Sequence, residues 1–204
     1  AQEKHLDNEY IAAASFGAMG NLATEQNNRN RLVKGGCCAA VVAAMVHHPQ
    51  NEDVTRMTAR CVAKLCLTEH NKKIIHQAGI CPIIVSSLDT HMTSPHVMLQ
   101  VAKTLREFTK NNVESQAALG ALNCCDKLIR LFDVHRKLSV VVTSLCFTLT
   151  ELCMTNTGNQ NRCRMAGLAE SLLKTMETHL SVELFSEAVC ILIAISSKDN
   201  TENI

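Results

Sequence analysis

"NKKIIHQAGICPIIVSSLDTH", residues 71–91, reads as a short helix, a glycine break and a second helix that closes on histidine. The chain repeats the pattern. "NRNRLVKGGCCAAVVAAMVHH" at 28–48 and "NQNRCRMAGLAESLLKTMETH" at 159–179 hold the Asn, the Gly and the final His at the same offsets. A fourth copy, "SQAALGALNCCDKLIRLFDVH" at 115–135, keeps the His but has Ser115 for the Asn and Asn123 for the Gly. Gly36, Gly79, Asn123 and Gly167 are spaced by 43, 44 and 44 residues, and His5, His48, His91, His135 and His179 by 43, 43, 44 and 44. Two landmarks that drift together mark an internal repeat over nearly the whole chain.

Each copy reads as three helical pieces. The first starts near the Asn, a good N-cap, and ends at the Gly, which tolerates a left-handed C-terminal conformation; Asn123 is the one substitute that tolerates it too. The second carries apolar residues at offsets 1, 2, 5, 6 and 9 from the Gly, as in Ile80, Cys81, Ile84, Val85 and Leu88, or Cys124, Cys125, Leu128, Ile129 and Phe132. That spacing is a helical stripe and excludes a strand. The third follows a short polar linker and runs about four turns, as in "VTRMTARCVAKLCLTE" and "VVVTSLCFTLTELCM". Pro95 stands near one start, where a missing N–H does no harm.

Composition agrees with an all-α chain: only 3 Pro and 8 Gly in 204 residues leave little room for the turns of a β fold. With 20 basic against 19 acidic residues, no global field draws the chain toward nucleic acid or an anionic membrane. No apolar run reaches the ~18–20 residues that span a bilayer. The chain begins at Ala1 rather than Met, so a processed or partial chain is expected, and a lipidation signal at a true N-terminus would lie outside it.

The 11 cysteines follow the repeat instead of a disulfide or zinc pattern. Cys38, Cys81 and Cys125 each fall two residues after the Gly position, Cys66 and Cys153 eighteen after the His, and Cys146 and Cys190 eleven after it. They read as small buried apolar residues, and so many free thiols point to a reducing compartment, the cytoplasm first and the nucleus second. The recurring His invites a metal reading. Stacked repeats hold equivalent atoms about 8–10 Å apart, whereas zinc ligands sit ~2 Å from a shared ion, so each His is expected to close its helix near exposed carbonyls instead. No phosphate loop, nucleophile elbow or paired metal motif is present, so no cofactor and no catalysis are expected.

The order Asn, six or seven residues, Gly, an apolar helix and a long helix ending "GNLA" or "KLCL" resembles the armadillo repeat, and "NKKIIHQAGICPIIVSSL" followed by "ARCVAKLCLTEHN" is similar to that family's unit from end to end. The resemblance covers about residues 5–204. It implies an all-α armadillo-type solenoid, a right-handed superhelix of three-helix repeats. The approximate units are 1–26 (partial), 27–70, 71–113, 114–157 and 158–199, with 200–204 opening another, all in one repeat domain over 1–204. HEAT repeats are the second choice, but they have two helices and lack the short first helix ending in Gly.

The resemblance also implies a non-catalytic scaffold or adaptor that binds another protein along the concave face formed by the third helices. A regulatory repeat segment of a larger signalling or cytoskeletal protein, or a lipid-anchored peripheral adaptor, are the alternatives. In the family, a Trp and an Asn one turn later on that helix often grip a peptide backbone. Here the Trp positions are Gly17, Arg60, Lys103 and Phe147, and the Asn positions are Asn21, Lys64, Glu107 and Glu151; only Asn21 matches. That departure argues against a nuclear-import role. Instead Arg56, Arg60 and Lys64, spaced by one turn, share a helix face that Lys103 and Arg106 continue before Glu107 and Glu151 change the sign. Such a face suits an extended acidic or phosphorylated segment. "DNTENI" at 199–204 looks like the start of a further first helix with Asn200 as N-cap, so more repeats beyond it, and end-to-end self-association without them, are expected.

Overall fold

The junction between the first and second helix of each repeat needs a backbone that turns left. φ is 84° at Gly36 and Gly79, 79° at Gly167 and 59° at Asn123. Each of these residues follows the C-cap of one helix and directly precedes the first residue of the next. Asn is the side chain that best tolerates this region, which is why it replaces Gly once.

The computed structural model describes residues 7–179 and 181–196. Among them are thirteen helices and no strand. A lone third-type helix α1 (Glu9–Leu22) is followed by four three-helix repeats. These are α2 (Gln26–Lys34), α3 (Cys37–His47) and α4 (Glu52–Leu65); α5 (Glu69–Gln77), α6 (Ile80–Thr90) and α7 (Pro95–Thr109); α8 (Val113–Ala121), α9 (Cys124–Val134) and α10 (Ser139–Cys153); and α11 (Thr157–Met165), α12 (Leu168–His179) and α13 (Glu183–Ser196). The chain falls into two compact units that part between Phe108 and Thr109. The N-terminal unit holds α1 to α7 and the C-terminal unit α8 to α13. The expected Asn200 cap lies outside the described residues.

The drift of the repeat from 43 to 44 residues has a local cause. Helices α1 and α4 are 14 residues long, whereas α7 and α10 are 15. Every 44-residue interval contains one of the longer helices.

Within each unit, like packs on like. In the N-terminal unit α1 lies against α4 and α3 against α6; in the C-terminal unit α8 lies against α11, α9 against α12 and α10 against α13. The apolar stripe of the second helices forms the core as expected: Ile80, Cys81, Ile84, Val85 and Leu88 are buried, and so are Cys124, Cys125, Leu128, Ile129 and Phe132. Phe16, Phe108, Phe132 and Phe185 fill the largest spaces. Each such side chain contributes about 1.5–3 kcal/mol on burial.

Two expectations about landmark residues are corrected. The recurring Asn is not the N-cap. Helices α5, α8 and α11 begin earlier, with Thr68, Asn112 and Asn156 at the cap, and Asn71, Ser115 and Asn159 occupy the third helical position. Asn112 and Asn156 accept from the backbone N–H of Ser115 and Asn159 at 2.9 Å. Asn159 is wholly buried, and its amide donates to the carbonyls of Gln116 at 2.8 Å and Leu152 at 2.9 Å. Gly120 makes this possible, because a Cβ there would lie 1.8 Å from Asn159 Oδ1. In the N-terminal unit the corresponding residue is Val33, and Asn71, equally buried, has neither amide atom hydrogen-bonded.

The recurring His does close the second helix, but its side chain bonds to the preceding repeat and not to its own carbonyls. His91 Nε2 lies 3.0 Å from the carbonyl of Pro49 and 3.1 Å from Thr55 Oγ1. His179 Nε2 meets the carbonyl of Arg136 in the same register, one residue after the previous His. A second ladder runs beside the first in the N-terminal unit. Asn51 Nδ2 donates to Glu9 Oε2 at 2.6 Å, and Ser94 Oγ to Glu52 Oε2 at 2.7 Å.

Gly120→Ala is expected to expel the Asn159 amide and cost about 2–4 kcal/mol in urea unfolding, because two buried carbonyls lose their donor. Gly17→Ala, whose Cβ would meet Met57 Sδ at an ordinary 3.4 Å, is the control and is expected to change stability by less than about 1 kcal/mol. His91→Ala is expected to cost about 1–3 kcal/mol in the same measurement, since the buried Thr55 hydroxyl loses its partner.

Candidate partner-binding face

Third helices position the candidate residues. On α4 the positions between apolar contacts turn outward, and Arg56, Arg60 and Lys64 fall there in a row. Arg60 is exposed; Arg56 and Lys64 are half-buried along their stems. Arg56 is held by Asp53 on its own helix, Nη2 to Oδ1 at 2.7 Å, a partly exposed pair worth little by itself. Arg60 reaches across to α1, where Nη2 donates to Asn21 Oδ1 at 2.8 Å. Asn21 is therefore engaged by a guanidinium.

Close packing of α1 on α4 sets up this contact. A Cβ on Gly20 would meet the Cys61 backbone at 3.6 Å and Arg60 Cγ at 3.8 Å, ordinary contact distances that place the Arg60 stem beside α1. On the other side, Thr104 Oγ1 of α7 donates to the Ala59 carbonyl of α4 at 2.9 Å. The sequence neighbours of that bond are Lys103 and Arg60, which brings the two cations to adjoining positions. Lys103 is exposed, while Arg106 and Glu107 are half-buried on α7.

The structure thus brings together seven of the nine candidates in the N-terminal unit: Asn21, Arg56, Arg60, Lys64, Lys103, Arg106 and Glu107. Phe147 and Glu151 lie on α10 in the C-terminal unit, both half-buried and one turn apart. Val140 stands exposed on the same helix, giving it a more apolar surface than α4. The Arg60–Asn21 bond was not legible in the sequence.

The thiols take no part in this face. Ten cysteines are buried, and Cys190 is exposed. Burial pushes the Cys38 thiol up to about 11 and the Cys146 thiol up to about 12, and drives Cys66 upward as well. Cys37 and Cys125 are the exceptions: the hydrogen bond with Cys61 lowers Cys37, and hydrogen bonds from Cys153 and Cys163 outweigh burial and lower Cys125 to about 5. Cys153 and Cys163 themselves lie 3.4 Å apart. Among the described residues no cluster of His, Cys, Asp and Glu is arranged to hold a metal ion, and no helix is long and apolar enough to cross a membrane.

Three-helix repeats joined by a left-handed hinge, with like helices packed on like, define an armadillo-type α-solenoid fold. The solved structures agree. An engineered protein is similar with a TM-score of 0.80 at 20% identity, over 94% of this chain and 77% of that one. A designed armadillo repeat protein in complex with the peptide (KR)4 is similar with a TM-score of 0.79 at 18% identity, over 95% and 80% of the two chains. At these identities the likeness speaks for the fold alone. No family model and no curated protein matches the sequence.

The raised thiols have a consequence at alkaline pH. The unfolded chain ionises its cysteines near their ordinary value of 9.0, whereas Cys38 and Cys146 stay protonated in the fold up to about 11 and about 12. The neutral thiol is what the fold favours, so this stability is complete below pH 9 and is lost as pH rises toward 12. Urea midpoints measured from about pH 8.5 to about pH 11 are expected to fall, and to fall less steeply in Cys146→Ala. Equal slopes would remove the Cys146 contribution.

Proposed function

We propose that this chain is a non-catalytic scaffold that binds an extended, acidic or phosphorylated segment of a partner protein along the α1–α4–α7 face of its N-terminal unit. One observation carries the reading: Arg60, Lys64 and Lys103 stand on adjoining third helices, and none is in an ion pair with an acidic side chain among the described residues. Three such cations on one face call for an anionic partner, and guanidinium and ammonium groups on rigid helices supply it without ordering a loop. The designed armadillo repeat protein of the same fold binds a basic peptide, (KR)4; here the face carries the opposite demand.

The affinity comes from charge complementarity over several turns, so it weakens with salt. Glu107 sits one turn after Lys103 and marks where the acidic segment must stop or present a neutral residue. Phe147 and Glu151 offer an apolar and an acidic contact of their own on the C-terminal unit. The free thiols suit a reducing compartment, and the cytoplasm is the one proposed.

Fluorescence anisotropy with labelled (Asp-Glu)4 and (Lys-Arg)4 peptides tests this. The wild-type protein is expected to prefer the acidic peptide. The double substitution Arg60→Glu with Lys64→Glu should lower that affinity by about tenfold or more without altering the helical circular dichroism. An affinity unchanged by the double substitution would sink the proposal.

A further inference from the structure

The Asn21–Arg60 pair is unlike the other charged groups of the face. Arg56 is neutralised by Asp53 at 2.7 Å, but Arg60 is held by a neutral amide at 2.8 Å and keeps its full charge. A guanidinium has five N–H donors in a planar fork, and this bond uses one. Asn21 also retains its own amide donors, since only its oxygen is engaged. The pair is built from below: α1 packs closely on α4, with Gly20 beside the Cys61 backbone and the Arg60 stem. The Thr104–Ala59 bond at 2.9 Å seats α7 beside it, bringing Lys103 next to Arg60. Lys64 follows Arg60 by one turn of α4.

We propose that Asn21 is a positioning residue that orients the Arg60 fork, so that Arg60, with Lys64 and Lys103, seats the phosphoryl group of a phosphorylated side chain on the partner segment. The proposal rests on the reading of this face given above and narrows its partner class. Three unneutralised cations outnumber the single charge of a carboxylate, while a phosphorylated side chain carries about −1.5 to −2 near pH 7. Its three acceptor oxygens also match a fork plus two ammonium groups, which a planar carboxylate does not. Asn21 thereby has a different task from the backbone grip its position implies in the family. Its oxygen is committed to Arg60, and what it offers a ligand is a correctly aimed cation.

The test uses labelled (Asp-Ser)4 with every serine phosphorylated, its unphosphorylated form and (Asp-Glu)4, measured by anisotropy. Wild type is expected to bind the phosphopeptide about tenfold more tightly than (Asp-Glu)4, with a preference that grows from about pH 5.5 to about pH 7 as the phosphate takes its second charge. Asn21→Ala is expected to lose most of the phosphopeptide preference, read as the ratio of the phosphopeptide and (Asp-Glu)4 affinities, and its pH dependence. Arg60→Lys, which keeps the charge and loses the fork, should lower that ratio in the same way, and combining Asn21→Ala with Arg60→Lys should lower it no further than Arg60→Lys alone. If Asn21→Ala or Arg60→Lys retains the preference while Arg60→Glu with Lys64→Glu still weakens acidic-peptide binding, the positioning role is wrong and the acidic-segment reading stands. If the charge reversal changes nothing, both fall together.

Discussion

A three-helix block of some forty residues has more apolar surface than it can fold over itself, so each block must cover its faces with the next. Every feature of the chain follows from that need for a neighbour in register. The stripe on the second helices supplies the contact, but hydrophobic contact is non-directional and leaves the sliding of one block on another weakly specified. Hydrogen bonds remove the freedom. His91 to Pro49, His179 to Arg136, Asn51 to Glu9 and Ser94 to Glu52 each join residues 42 or 43 apart, one repeat length. A slip of one residue would leave these buried or half-buried groups without partners, at a cost of about 1–3 kcal/mol apiece.

The two compact units meet the same need with different local solutions. In the C-terminal unit Gly120 opens a space that Asn159 fills, and Gln116 ties α8 to the Glu151 carbonyl at 2.9 Å. In the N-terminal unit Val33 stands where Gly120 does, and the Asn71 amide remains buried and unsatisfied. The same asymmetry appears on the third helices. Helices α4 and α7 present cations, whereas α10 presents Val140 and Phe147. A repeat architecture permits this because the inward positions carry the fold and the outward ones are free to vary.

That freedom explains the character of the candidate face. Residues such as Arg60 and Lys103 contribute little to packing, so their chemistry is available for recognition. The helices hold them at one-turn intervals without a loop to be ordered on binding. The Asn21–Arg60 bond joins two adjoining third helices through outward side chains, and in the proposed reading the amide orients a charge.

The repeat, its period, the three-helix order and the buried stripe were all legible in the sequence, because they depend on spacing along one chain. So were the outward positions of Arg56, Arg60, Lys64 and Lys103, which follow from helical periodicity. The role of the landmark Asn and His was not, since a side chain's partner across a repeat boundary depends on which residue stands opposite in space. Asn159 needed Gly120 thirty-nine positions away, and Asn21 needed Arg60 at the same separation. Sequence spacing determined which faces the helices would bury; only the tertiary packing, by bringing backbones within hydrogen-bond reach, decided which polar groups would meet.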